Sequence, residues 1–165
     1  MSGTSLDGID LAEIVFTYSE AQWKFEIITA ETVPYSSFWK DELRDAINYS
    51  EEKLERLDFK YTERLSEEIS KFIRKNNVQE IDAVCSHGHT ILHQPERGFT
   101  YQIGNLPRIS KMLGQTVVCD FRVQDVELGG QGAPLVPIGD KLLFSEYDYC
   151  LNLGGFANCS FEKNG

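Results

Sequence analysis

Between Leu54 and Ile73 the residues Leu54, Leu57, Tyr61, Leu65, Ile69, Phe72 and Ile73 recur at spacings of three, four, four, four, three and one. Those spacings fall on one face only in a helix, so residues 51–76 are expected to form a long amphipathic helix. Ser50 stands where an N-cap is needed, with Glu51 and Glu52 at the positive end of the dipole. Lys71, Arg74 and Lys75 suit its negative end. One side of this helix must be buried, and the flanking sequence offers strands to bury it.

Residues 9–18, IDLAEIVFTY, place Ala12, Ile14, Phe16 and Tyr18 on one face with period two. Residues 23–33 repeat the alternation with Trp23, Phe25 and Ile27 against Lys24 and Glu26, and the polar SEAQ between the two runs predicts an antiparallel hairpin. A short helix is expected near 37–48. Beyond Asn76-Asn77, IDAVCSHG (81–88) reads as a strand ending in a polar cluster. TILHQP and FTYQIG read as a hairpin around Glu96-Arg97-Gly98, and Asn105 as the cap of a helix through Met112 that Gly114 ends. TVVCDF (116–121) and YCLNLGG (149–155) read as buried strands. Strands mixed with helices predict an α/β domain with a mixed β-sheet and flanking helices.

At 165 residues, with 41% hydrophobic and 12% aromatic side chains, the chain suits one well-buried domain. Its net charge of −10 argues against a nucleic-acid or anionic-membrane surface, both of which need clustered positive charge. No run approaches the roughly 18 apolar residues of a membrane span, and the start lacks the features of a secretory signal. Cys85, Cys119 and Cys150 each sit in an apolar run, where buried thiols are expected. Together with Cys159 they form no CxxC pair, and a reducing cytoplasm follows as the expected compartment. A phosphate-type loop normally follows a strand, and the chain stops as a hairpin should turn back, so a piece of a longer protein is expected.

Four segments carry candidate chemistry. MSGTSLDGID opens the chain with hydroxyls and glycines around Asp7. Glycines permit the positive φ angles that converge backbone amides on an anion, and the hydroxyls of Ser2, Thr4 and Ser5 add donors. The Asp7 carboxylate repels a bare phosphate but fits beside Mg²⁺, or as an orienter of loop amides. The alternative is an ordinary turn leading into the hairpin. SHGHTILHQP holds His87, His89 and His93. Their spacing allows a zinc site, but only Glu96 stands nearby as a further ligand; hydrogen bonds to backbone and contact with a ligand are the other two roles. DFRVQDVELGGQGAPLVP (120–137) emits Asp120, Arg122, Gln124 and Asp125 from a strand end before the turn Gly129-Gly130-Gln131-Gly132. Such a set serves a metal, sugar hydroxyls, proton transfer or a salt-bridged loop. LNLGGFAN (151–158) places Gly154-Gly155 after another strand, either as a second phosphate turn or as a simple hairpin turn.

Taken together and in this order, MSGTSLDGID, SHGHT with its QIG, DFRVQD with GGQGAPLVP, and LNLGG resemble the anhydro-N-acetylmuramic acid kinase family across essentially the whole chain. The resemblance implies a sugar kinase/actin/Hsp70-type (ribonuclease H-like) fold, of which residues 1–165 would be the single N-terminal lobe. It implies a cytoplasmic homodimer in peptidoglycan recycling, using ATP and water to open the 1,6-anhydro ring of anhydro-N-acetylmuramic acid while phosphorylating O6. On this likeness Ser2, Gly3, Thr4, Ser5, Leu6, Asp7, Gly8 and Ile9 are the ATP phosphate-binding loop, with Asp7 serving Mg²⁺. Gly154 and Gly155 are a possible second phosphate turn, and Thr90, Gln102 and Asp125 fall in segments along the sugar side of the cleft. Relatives commonly carry arginines where this chain has Val123 and Gln124, and a Gln where it has His89. The family's general base, an aspartate in a G-x-D-x-G-P-x-N motif, would lie beyond residue 165, so these residues alone are expected to be inactive. A different kinase of the superfamily and a non-catalytic sugar- or partner-binding module stand as the alternatives.

Overall fold

A computed structural model of the chain describes residues 1–3, 5–153 and 157–161. The predicted first hairpin is present as β1 (Gly8–Ser19) and β2 (Gln22–Pro34), antiparallel from Gly8↔Pro34 to Ser19↔Gln22. Glu20 and Ala21 join them at φ 53° and 61°, the left-handed pair that lets a two-residue turn follow the twist of its strands. Ile9 at the near end is fully buried, while Phe16, Tyr18, Trp23 and Ile27 at the far end are exposed.

Next come α1 (Ser37–Asp45), a 3-10 turn (Ala46–Asn48) and α2 (Glu51–Lys75). Ser36 and Ser50 cap the two helices, their hydroxyls accepting from the amides of Trp39 and Lys53. The predicted stripe of α2 is the face it buries: Leu57, Tyr61, Leu65, Ile69 and Phe72 are buried, with Leu54 and Ile73 partly so. Hydrophobic periodicity does not show that Asp58, Thr62 and Ser66 are buried on the same helix. Asp58 Oδ1 accepts from the Gly104 amide at 2.7 Å and from Thr62 Oγ1 at 3.2 Å, which satisfies the carboxylate. Burial still pushes its pKa up against those bonds.

The second half contains β3 (Val84–Cys85), β4 (His89–Gln94), β5 (Phe99–Ile103), α3 (Arg108–Leu113), β6 (Val117–Val118), α4 (Phe121–Glu127), α5 (Pro137–Leu143), β7 (Cys150–Leu153) and β8 (Ala157–Ser160). The strands β4 and β5 form the second predicted hairpin, and β3 pairs with β6 in parallel. The core gathers Ile9, Tyr35, Leu43, Leu57, Tyr61, Leu65, Ile69, Ile103 and Ile109, so α2 backs β1, β5 and α3.

The α/β character of the chain is as expected, but five details differ. Among the described residues the strands pair as four two-stranded ladders instead of one mixed sheet. Runs 81–88 and 116–121 pair over only two residues each, and Gly88 at φ 68° and Asp120 at φ 59° turn their C-terminal ends out of the extended conformation. Residues 121–127 are helical, beginning with the Gln124 amide bonded to Asp120 O at 2.9 Å. Asn105 caps nothing, since Leu106-Pro107 separates it from α3; Gly114 does end that helix, at φ 64°. Three thiols are not buried as expected: Cys85 is exposed and Cys119 and Cys150 are intermediate, each lying in or beside a ladder of only two strands. Among the described residues no helix is long and apolar enough to cross a membrane.

Candidate active site

The opening loop is tied down at both ends. Ser2 is buried and forms an isolated parallel bridge with His89. Its Oγ lies 2.6 Å from Tyr35 Oη and 2.8 Å from His89 Nδ1, and Tyr35 Oη is 2.7 Å from Tyr61 Oη. At the other end, Tyr35 N donates to Asp7 O at 3.1 Å, and Gly8 lies so close to β2 that a Cβ there would sit 2.4 Å from Val33 O. Glycine is needed at this position for that close approach. The positive φ expected of the loop glycines is carried by Leu6, at 54°, and neither Gly3 nor Gly8 has one. Leu6 N closes the turn onto Gly3 O at 3.2 Å. Thr4 lies outside the described residues.

Asp7 is exposed, and its Oδ1 accepts from Ser5 Oγ at 2.6 Å and from Gly8 N at 3.1 Å. The Ser5 bond is the main reason its pKa is held below the usual carboxylate range, with Lys40 adding a smaller attraction. The carboxylate is therefore ionised, and Oδ2 stands outside this pair of bonds.

Next to the Ser2–His89 bridge, Thr90 pairs with Gln102 across the β4–β5 ladder. Gln102 is buried; its Nε2 donates to Thr100 Oγ1 at 2.8 Å and to Thr90 Oγ1 at 3.4 Å. Its Oε1 is buried with no hydrogen-bond partner among the described residues. A buried acceptor left unpaired is costly, and a donor arriving from a ligand would satisfy it.

Asp125 lies on α4, which packs against β5. Its Oδ2 accepts from the Gly132 amide at 2.6 Å, and a Cβ on Gly130 would sit 2.2 Å from the same oxygen. The carboxylate therefore folds the 129–132 turn back onto α4. Arg122 closes the turn from the other side: Nη1 donates to Gly132 O at 2.6 Å and Nη2 to His87 Nε2 at 2.9 Å. The three histidines have separate partners, His87 with Arg122, His89 with Ser2 and His93 with Thr100. Among the described residues no group of His, Cys, Asp or Glu is gathered as a metal cage. Asn105, expected as a cap, instead links Ser86 Oγ at 3.1 Å to Asp120 Oδ1 at 2.9 Å. Gly154 and Gly155 lie outside the described residues.

The structure thus brings Ser2 against His89, next to Thr90 and Gln102, with Asp125 turned to its own loop. Sequence patterns did not reveal Tyr35 and Tyr61 as hydrogen-bonding residues of this site. Tyr61 counted only as one apolar member of the helical stripe, and a phenol's partner leaves no trace in hydrophobic periodicity.

A family model described as Anhydro-N-acetylmuramic acid kinase matches residues 1–164. A Sulfurimonas denitrificans protein named anhydro-N-acetylmuramic acid kinase is 37% identical over 99% of this chain and 46% of its own length. Proteins of the same name from Pseudomonas putida and Zymomonas mobilis are 36% and 37% identical, over 97% and 98% of the chain and 45% and 48% of their own lengths. The chain spans somewhat less than half the length of these curated relatives.

Proposed function

The chain belongs to the anhydro-N-acetylmuramic acid kinase family, and from that premise we propose that it carries the nucleotide loop and part of the sugar site of an ATP-dependent kinase. In the reaction, water bonds to C1 of anhydro-N-acetylmuramic acid, the C1–O6 bond breaks and O6 takes the γ-phosphoryl group. The same proposal includes a sugar kinase/actin/Hsp70-type lobe, a role in peptidoglycan recycling and a cytoplasmic homodimer. The observation that supports it is the Ser2–His89 bridge, which ties the start of the opening loop to the strand that carries Thr90.

Bound ATP with Mg²⁺ supplies the phosphoryl group and the charge that stabilises its transfer. The donor set fits that pair: Asp7 is ionised and exposed, and Ser5 and Gly8 both hold it through Oδ1. In this reading Ser2, fixed by Tyr35 and His89, sets the course of the loop, and Gln102 Oε1 takes a sugar hydroxyl with Thr90 beside it. Asp125 and Arg122 fix the 129–132 turn that flanks the sugar. Phosphoryl transfer depends mainly on such positioning. The product of the complete reading frame, incubated with ATP, Mg²⁺ and candidate sugars, is expected to phosphorylate the anhydro-sugar. Turnover of glucose or acetate without the anhydro-sugar would overturn the proposal.

A further inference from the structure

We propose that His89 is a positioning residue that, through Ser2, locks the 2–9 loop to the β4–β5 hairpin. The two segments then hold one register when their ligands arrive. Only the identity of those ligands rests on the kinase reading; the lock itself rests on geometry.

Four buried side chains form a single file: Tyr61 on α2, Tyr35 just after β2, Ser2 in the loop and His89 at the start of β4. Each hydroxyl in the file can both accept and donate, so the His89 tautomer sets the sense of the whole chain. Ser2 is its narrowest point, because it joins the loop to the helical core on one side and to the hairpin on the other. His89 also adjoins Thr90, whose Oγ1 accepts from Gln102. A shift of the imidazole therefore moves the loop and the hairpin together. Both Ser2 and His89 are 3% exposed, so water cannot readily replace a lost partner.

The test compares His89→Leu, His89→Gln and Ser2→Ala by amide hydrogen exchange, with α2 as the internal reference for folding. His89→Leu is expected to speed exchange in residues 1–9 by about fivefold to tenfold, the loss of one buried hydrogen bond. His89→Gln, which keeps a side-chain hydrogen-bonding group, should restore protection. Ser2→Ala, which also gives up the Tyr35 bond, should speed exchange at least as much as His89→Leu, and adding His89→Leu to it should change nothing further, because the imidazole has already lost its partner. Ser2→Ala keeps the His89 ring in place, so it decides the matter if His89→Leu unfolds α2. Wild-type exchange at residues 1–9 in Ser2→Ala, or full additivity in the double variant, would overturn the proposal. No nucleotide enters the measurement, so an ATP·Mg²⁺ titration that shows no binding counts against the kinase reading alone.

Discussion

Arg122 Nη2 donates to His87 Nε2 at 2.9 Å, and this contact fixes the imidazole tautomer. A guanidinium has no lone pair to offer, so Nε2 is the acceptor and the ring proton sits on Nδ1. Nδ1 faces Gly88 O at 3.2 Å, as that tautomer requires. Burial and the Arg122 charge both lower the His87 pKa, burial more strongly. The neutral ring thus joins the SHGHT segment to the glycine turn that Arg122 also holds through Gly132 O.

Arg122→Lys is expected to lower stability by about 1–3 kcal/mol, because one ammonium cannot reproduce two divergent bonds of a fork. Its nearest consequence is a loosened 129–132 turn. Urea denaturation reads the first effect, and a midpoint equal to wild type would show that the clamp adds nothing.

Much of this fold was legible because it is local. The α2 stripe, its Ser50 cap and its charged ends lie within one helix, and the β1–β2 alternation needs only neighbours on a strand. What escaped depends on residues far apart in sequence. The helix at 121–127 hides inside a strand-like run because its start depends on Asp120 at φ 59°. The role of Asp125 is set by an amide seven residues on, after the chain has folded back. The Tyr61–Tyr35–Ser2–His89 file spans α2, the loop and β4, and no periodicity connects those elements.

His89 predicts a pH dependence with a definite sign. Burial, then repulsion from His87, pushes its pKa from 6.5 to about 4. Across that window the unfolded chain binds the proton more readily, so stability falls as pH drops from 6.5 towards about 4. The full contribution is up to about 3 kcal/mol. Asp58, whose pKa is raised, works with the opposite sign but equally in any His89 variant. Unfolding free energies of wild type and His89→Gln measured from pH 7 to 4 should therefore converge or cross as pH falls. Parallel curves would mean that His89 is not held neutral by the fold.

Gly8→Ala tests the close approach that seats the loop. The added methyl would meet the Val33 carbonyl at 2.4 Å, and backbone paired in a ladder cannot swing aside as a side chain can. A loss of about 1–3 kcal/mol is expected, as for other overpacked sites. It should appear as a lower denaturant midpoint with an unchanged slope. Wild-type stability would show that β1 and β2 can part at Gly8↔Pro34 without penalty.

Asp7→Asn separates chemistry from folding. Asp7 is exposed, so the substitution should leave stability within about 0.5 kcal/mol of wild type. The amide keeps an oxygen for Ser5 Oγ and the Gly8 amide, so the loop should hold its course while losing its charge. If that charge serves Mg²⁺, the loss falls on the step in which charge moves between phosphate oxygens, where one such group contributes about 10²–10³ in rate. The expected outcome is a kcat reduced by about that factor in the product of the complete reading frame, with Tm nearly unchanged. The order of effects matters as much as their size. A raised KM for ATP with kcat preserved would mean that Asp7 only helps the nucleotide settle in the loop. Wild-type kcat and KM at saturating Mg²⁺ would remove Asp7 from the site and leave it as the residue that orients the Ser5 hydroxyl and the Gly8 amide.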